Sequence, residues 1–192
     1  MKKVIAAIFV LLSSFIFAYS QTALDFACTT KQPQSERDFR KWANESVRHL
    51  ITKDEKTAFV NLKTDTERSA FIMDFWAKRD PDPETAENEF QKQYCQRVSE
   101  TDQFESGIPG WLTDRGRIYI IWGKPDQVEK GFSTFGNNLN VPYEKWFYEH
   151  LAGIGDGVEI TFIDPTETGE FRIDRSSETE LDFVNCLDCG AL

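Results

Sequence analysis

Histidine is almost missing from this chain: His49 and His150 are the only two in 192 residues. The side chain that most often serves as general base or metal ligand near neutral pH is therefore in short supply. Basic residues are also few, 22 Lys and Arg against 32 Asp and Glu, for a net charge of −10. A surface of that sign repels nucleic acid and anionic lipid. Past the first 20 residues there is no apolar run long enough for a membrane span. Aromatic residues, by contrast, are plentiful: 26 in all, of which only Phe9, Phe15, Phe17 and Tyr19 fall in those first 20. A disordered acidic tail does not carry so many, so a packed core is expected.

Residues 1–20 have the form of a secretory signal, with Lys2 and Lys3, an apolar stretch from Val4 to Ala18, and Ala18 and Ser20 as small residues around Tyr19. Cleavage after Ser20 is expected, with the mature chain starting at Gln21 in the periplasm or outside the cell. Loss of the two lysines takes the charge from −10 to −12. No cysteine stands at the cleavage point, and Asp25 before Cys28 does not suit a lipid-attachment site. Four cysteines remain, Cys28, Cys95, Cys186 and Cys189, and an even number in an oxidising compartment favours disulfides. Three pairings are open. Proximity favours Cys28 with Cys95 and Cys186 with Cys189, whereas an echo of Leu24-Asp25-Phe26 in Leu181-Asp182-Phe183 favours pairing across the tails. A redox centre needs a helix after C-x-x-C, and only three residues follow Cys189. Zinc commonly uses two close cysteine pairs, while Cys28 and Cys95 stand alone. No metal or cofactor is implied.

Residues 35–51 place Phe39, Trp42, Ala43, Val47, Leu50 and Ile51 at helical intervals. Thr52 with Glu55, and Thr64 with Glu67, have the spacing of capping boxes, predicting helices from Lys53 and Asp65. The second is expected to stop before Pro81 and Pro83. A longer helix is predicted over 84–104, capped near Asp82. After Gly107, Pro109 and Gly110 the pattern changes: Arg117–Trp122 alternates and predicts a strand, as do Lys145–Glu149, Val158–Ile163 and Glu170–Asp174. The connections are too short for crossover helices, so the sheet should be antiparallel. About four N-terminal helices packed on about four C-terminal strands define an α+β class. The expected layout is a signal (1–20), a tail with Cys28 (21–34), a single domain (35–175, helical over 35–106 and sheet over 107–175), and a C-terminal tail (176–192).

Few segments carry chemistry. The glycines from Gly153 to Gly157 lack the following helix of a phosphate loop and read as a hairpin turn, and Gly131–Gly136 reads as a loop. The acids Asp80, Asp82, Glu84, Glu87 and Glu89 suit a helix start better than calcium, because the EF-hand glycine and terminal acid are missing. Richest is Gly110-Trp111-Leu112-Thr113-Asp114-Arg115-Gly116-Arg117. Thr113 or Asp114 can accept turn amides, and Arg115 and Arg117 can pair with acids, stack on Trp111, or grip a carboxylate by their guanidinium forks.

At this motif the chain resembles the GWxTD-domain proteins, a bacterial family of exported domains. Phe75-Trp76-Ala77-Lys78-Arg79-Asp80-Pro81 resembles its W-x-x-RDP element, and Glu87-Asn88-Glu89-Phe90 its next helix. Gly107–Asp126, Pro142–Tyr148 and the later Phe162, Asp164 and Gly169 also fit, over about 35–175 and so without the cysteine-bearing tails. The resemblance implies location and fold and brings no catalytic residues. Trp76, Arg79, Asp80, Trp111, Asp114, Arg115, Arg117 and Trp146 are expected to converge where helices meet sheet. If the cluster is structural, Arg79 and Arg115 should be buried against Asp80 or Asp114. The expected function is an exported envelope module that binds a protein partner or plays a structural role. The alternative is an envelope hydrolase using two carboxylates from Asp80, Asp114 and Glu144.

Overall fold

A computed structural model describes Cys28 and residues 33–135, 137–151 and 154–175. The signal segment, Cys186 and Cys189 lie outside the described residues. The chain forms two compact units, one from residues up to Arg48 with Phe59–Cys95, the other from His49–Ala58 and Gln96 onward. Among the described residues no helix is long and apolar enough to cross a membrane.

The first unit opens with α1 (Glu36–Lys41), started by Ser35, whose Oγ accepts the Asp38 N–H at 3.3 Å. The continuous helix expected over 35–51 does not form. The chain widens into a π-helical segment, Trp42–Ser46, where the Val47 N–H reaches the Trp42 carbonyl at 3.1 Å. Long-range packing outweighs the local pattern. Trp42 is fully buried, its ring centroid 5.0 Å from that of Phe59 and 5.2 Å from that of Phe75, and the Ser46 carbonyl accepts the Tyr94 hydroxyl at 2.8 Å. Helix α2 (Lys53–Asn61) passes from the second unit into the first, and α3 (Asp65–Ala77) follows. Both capping boxes are present: Glu55 accepts the Thr52 N–H at 2.9 Å, and Glu67 accepts that of Thr64 at 2.8 Å. As expected, α3 stops before Pro81.

Helix α4 (Glu89–Glu100) starts later than predicted, because Asn88 rather than Asp82 caps it. Asn88 accepts the Gln91 N–H at 2.8 Å and donates to the last turn of α3 at the Trp76 carbonyl, 2.7 Å away. One side chain thus satisfies orphan groups at two helix ends. Cys28 is joined to Cys95, with Cα atoms 5.3 Å apart.

In the second unit, residues 117–122 are not a strand. They belong to α5 (Asp114–Trp122). Alternation was uninformative there, because Ile118, Tyr119, Ile120 and Ile121 are all buried, on both sides of the apparent pattern. A short helix buried nearly all round presents the same apolar run as a strand. The deciding signals are the Thr113 cap at one end and Gly123, at φ 84°, at the other.

Among the described residues four antiparallel strands follow, in the order β1 (Gln127–Phe135), β2 (Asn138–Leu151), β3 (Gly155–Ile163) and β4 (Arg172–Ile173). Residues 131–135, read as loop, are strand, since their regularity comes from pairing with β2 and not from a buried face. The glycine run does lie at a hairpin, between β2 and β3, with Gly157 at φ 66°. Ile118 and Tyr119 of α5 pack with Trp146, Tyr148, Ile160, Phe162 and Ile173 of the sheet to form this unit's core.

Candidate functional site

The GWxTD sequence forms a 3-10 turn, Gly110–Leu112, that leads into α5. Three of its five positions build the turn, and a fourth ties it to the sheet. A Cβ on Gly110 would sit 1.7 Å from the Thr101 carbonyl oxygen, so no other residue fits. Trp111 is buried, and its carbonyl accepts the Nε2–H of His49 at 2.8 Å. The Thr113 hydroxyl donates to the Gly110 carbonyl at 2.7 Å and accepts the Gly116 N–H at 3.0 Å, which closes the turn and starts the helix. Asp114 reaches out of the turn to the sheet and accepts the Ile173 N–H of β4 at 2.9 Å. That N–H points away from β3, so the carboxylate caps the outer edge of the sheet. Leu112, the x of the motif, is left exposed.

Arg115, one residue on, turns the other way. Its Nη1 donates to Glu144 at 3.1 Å and its Nη2 to the Gly169 carbonyl at 3.1 Å. The guanidinium lies 5.2 Å from the ring of Phe104 and 4.4 Å from that of Phe171. Burial pulls the Arg115 pKa down, opposed by the Glu144 charge beside it. The second Glu144 oxygen accepts the Trp146 indole N–H at 2.6 Å, and Lys130 approaches the first at 3.1 Å. Asp164 organises the Gly169 loop, accepting the N–H groups of Gly169 at 2.6 Å and Thr168 at 3.2 Å and the Thr166 hydroxyl at 3.2 Å. Burial alone raises its pKa, but these donors together outweigh burial and hold it below the ordinary carboxylate value.

Of the residues expected to converge, the second unit contains Trp111, Asp114, Arg115, Arg117 and Trp146. Glu144 links Arg115 to Trp146, and Asp114 ties the turn to β4. Arg117 lies on α5, half-buried. Trp76, Arg79 and Asp80 belong to the first unit, at the end of α3, where Arg79 donates to the Phe75 carbonyl at 3.0 Å and stacks 3.8 Å from its ring. The partner of Arg115 is therefore Glu144 and not Asp114 or Asp80: Asp114 is turned to the strand edge, while β2 pleating points Glu144 inward beside Trp146. That inward position was legible in the alternation of Glu144, Trp146 and Tyr148, which share one face of a strand. Asp164 and Gly169 were marked by the resemblance, and Asp164 bonds donors only two to five residues away; Phe171 had no local signal.

Between the turn and β4 lies an open cleft of about 530 Å³. Leu112, Thr113 and Asp114 form one wall, and Glu170, Arg172, Ile173 and Arg175 the other. Arg172 is paired with Glu170 at 3.1 Å, and Arg175 is exposed. The cleft thus offers an apolar contact and a cation beside a braced strand edge.

The fold and this corner define an α+β protein in which a short glycine-tryptophan turn anchors a buried helix on an antiparallel sheet. The chain belongs to the GWxTD domain family, whose model matches residues 19–188. The match is longer than the 35–175 read from motifs and takes in Cys28 and Cys186 of the two tails. No match is found among curated proteins or solved structures.

Proposed function

We propose that the protein is an exported module of the cell envelope, periplasmic or secreted, that binds a protein partner at the cleft beside the GWxTD turn. The observation that carries this reading is the division of labour within the motif. Gly110, Trp111 and Thr113 hold the turn and Asp114 ties it to β4, whereas the exposed Leu112 side chain faces the cleft. An exposed leucine beside Arg175 suits an extended segment with an apolar side chain next to an acidic one. The leader-like residues 1–20 support export. Against carboxylate hydrolysis stand the bonds of the acids themselves: Glu144 is held by Arg115 and Trp146, and Asp114 by the Ile173 amide. A general acid and base must be free to face substrate.

Crosslinking in the native compartment followed by pull-down tests the proposal. A defined envelope protein should be captured by the wild-type chain and lost with Leu112→Glu and with Arg175→Glu, both at exposed positions. Equal capture by all three would refute the cleft as the site, and substrate turnover that depends on Glu144 would refute the binding reading. Loss of Met1–Ser20 in an intact-mass measurement is the expected mark of export.

A further inference from the structure

The two edges of the sheet differ. At β4 the edge is two residues long, and its outward N–H is taken by Asp114. At β1 it is nine residues long and, among the described residues, pairs only with β2. Long bare edges of this kind are templates for another strand. β1 also carries two of the most exposed large apolar side chains among the described residues, Val128 at 45% and Phe132 at 65%. Register places both on one face, because Val128 stands opposite Trp146, Lys130 opposite Glu144 and Phe132 opposite Pro142. On the other face Gly131 lies under the Tyr143 ring, where a Cβ would come 3.0 Å from a ring carbon.

We propose that β1 pairs antiparallel with β1 of a second copy, making one continuous sheet of eight strands across a two-fold axis at Gly131. Full-length pairing of Gln127–Phe135 with itself puts its middle residue, Gly131, on the axis. Lys130 then stands opposite Phe132 twice, a cation over an aromatic face. Glu129 stands opposite Ser133, and Val128 opposite Thr134. No like charges meet. Centring the pair on Lys130 or Glu129 instead would set two lysines or two glutamates against each other, and centring it on Phe132 would shorten the overlap.

Charge also favours a second copy as the occupant. The chain carries −10, yet Gln127–Phe135 holds one Glu and one Lys and is neutral, so two acidic molecules repel least along this strand. The inference is independent of the cleft, which lies at the opposite, β4 side of the sheet.

Sedimentation of the full oxidised chain across a dilution series tests the pairing. Wild type should move from monomer to dimer as concentration rises. Phe132→Lys should abolish the dimer by setting two lysines face to face, and Phe132→Glu should keep it by facing Lys130 with an acid. Net charge alone predicts the reverse order, since the lysine variant is the less acidic. Phe132 is exposed, so both variants should keep the wild-type circular dichroism. If either fails to fold, hydrogen exchange on wild type decides: β1 amides should become protected as concentration rises. A wild-type chain monomeric throughout, a dimer that survives Phe132→Lys, loss of the dimer in Phe132→Glu, or concentration-independent exchange at β1 would each overturn the proposal.

Discussion

Removing the Arg115 side chain should destabilise the protein severely, and the structure sets the scale. Arg115 and Glu144 form a salt bridge at 3.1 Å with side-chain exposures of 11% and 5%. Breaking a buried pair by deleting one partner costs about 3–5 kcal/mol, because the remaining charge stays in a poorly solvating site. Lys130 still approaches Glu144, but its own side chain is 69% exposed and its charge is well screened, so it holds the cost near the lower end. The same substitution strips the cation from between Phe104 and Phe171 and leaves the Gly169 carbonyl without its donor. For a chain of this size about 3 kcal/mol corresponds to a fall in Tm of roughly 10 °C. Arg115→Met combined with Glu144→Gln should cost less than Arg115→Ala alone, since neither charge remains and the glutamine still accepts the Trp146 indole N–H. Thermal and urea unfolding of the two variants provide the comparison. A loss below about 1 kcal/mol for Arg115→Ala, which is the range of surface substitutions, would refute the account, as would a double variant less stable than the single one.

Gly116→Ala sets two effects against each other. Helix propensity favours alanine by about 1 kcal/mol, but the added Cβ would lie 1.9 Å from the Gly110 carbonyl oxygen, a backbone atom that cannot step aside, so unfolding experiments should show a net loss. Asp164 governs an acid limb of stability. Its pKa is depressed in the folded state, so its contribution is complete above the ordinary carboxylate value and disappears as pH falls through the folded value; Asp164→Asn should lower stability at neutral pH and flatten the acid side of a stability–pH profile. Cys95→Ser should cost about 4 kcal/mol in denaturant unfolding, because the bridge to Cys28 closes a loop with a sequence separation of 67. A variant as stable as wild type would show that this bridge does not constrain the unfolded chain.

What the sequence determined by itself is local. The capping boxes at Thr52 and Thr64 appear where their spacing put them, because a hydroxyl and a carboxylate three residues apart satisfy amides within one turn of chain. The stop of α3 before Pro81, the antiparallel sheet and the hairpin at the glycine run follow from equally short-range chemistry. The GWxTD motif was also legible as a corner, though not which residue each of its parts would meet.

Tertiary structure decided the rest. Arg117–Trp122 reads as a strand until its burial on every side is known, and residues 131–135 of β1 read as loop until β2 lies beside them. The 35–51 helix gives way at Trp42 because Phe59 and Phe75, distant in sequence, take up its ring and Tyr94 takes up the Ser46 carbonyl. Arg115 finds Glu144, and Asp114 finds Ile173, 59 residues away. Periodicity reports which faces of a segment are apolar, whereas the partner of a buried charge or an orphan amide is set by which strands and loops the fold brings within 3 Å, and no window along the chain contains that information.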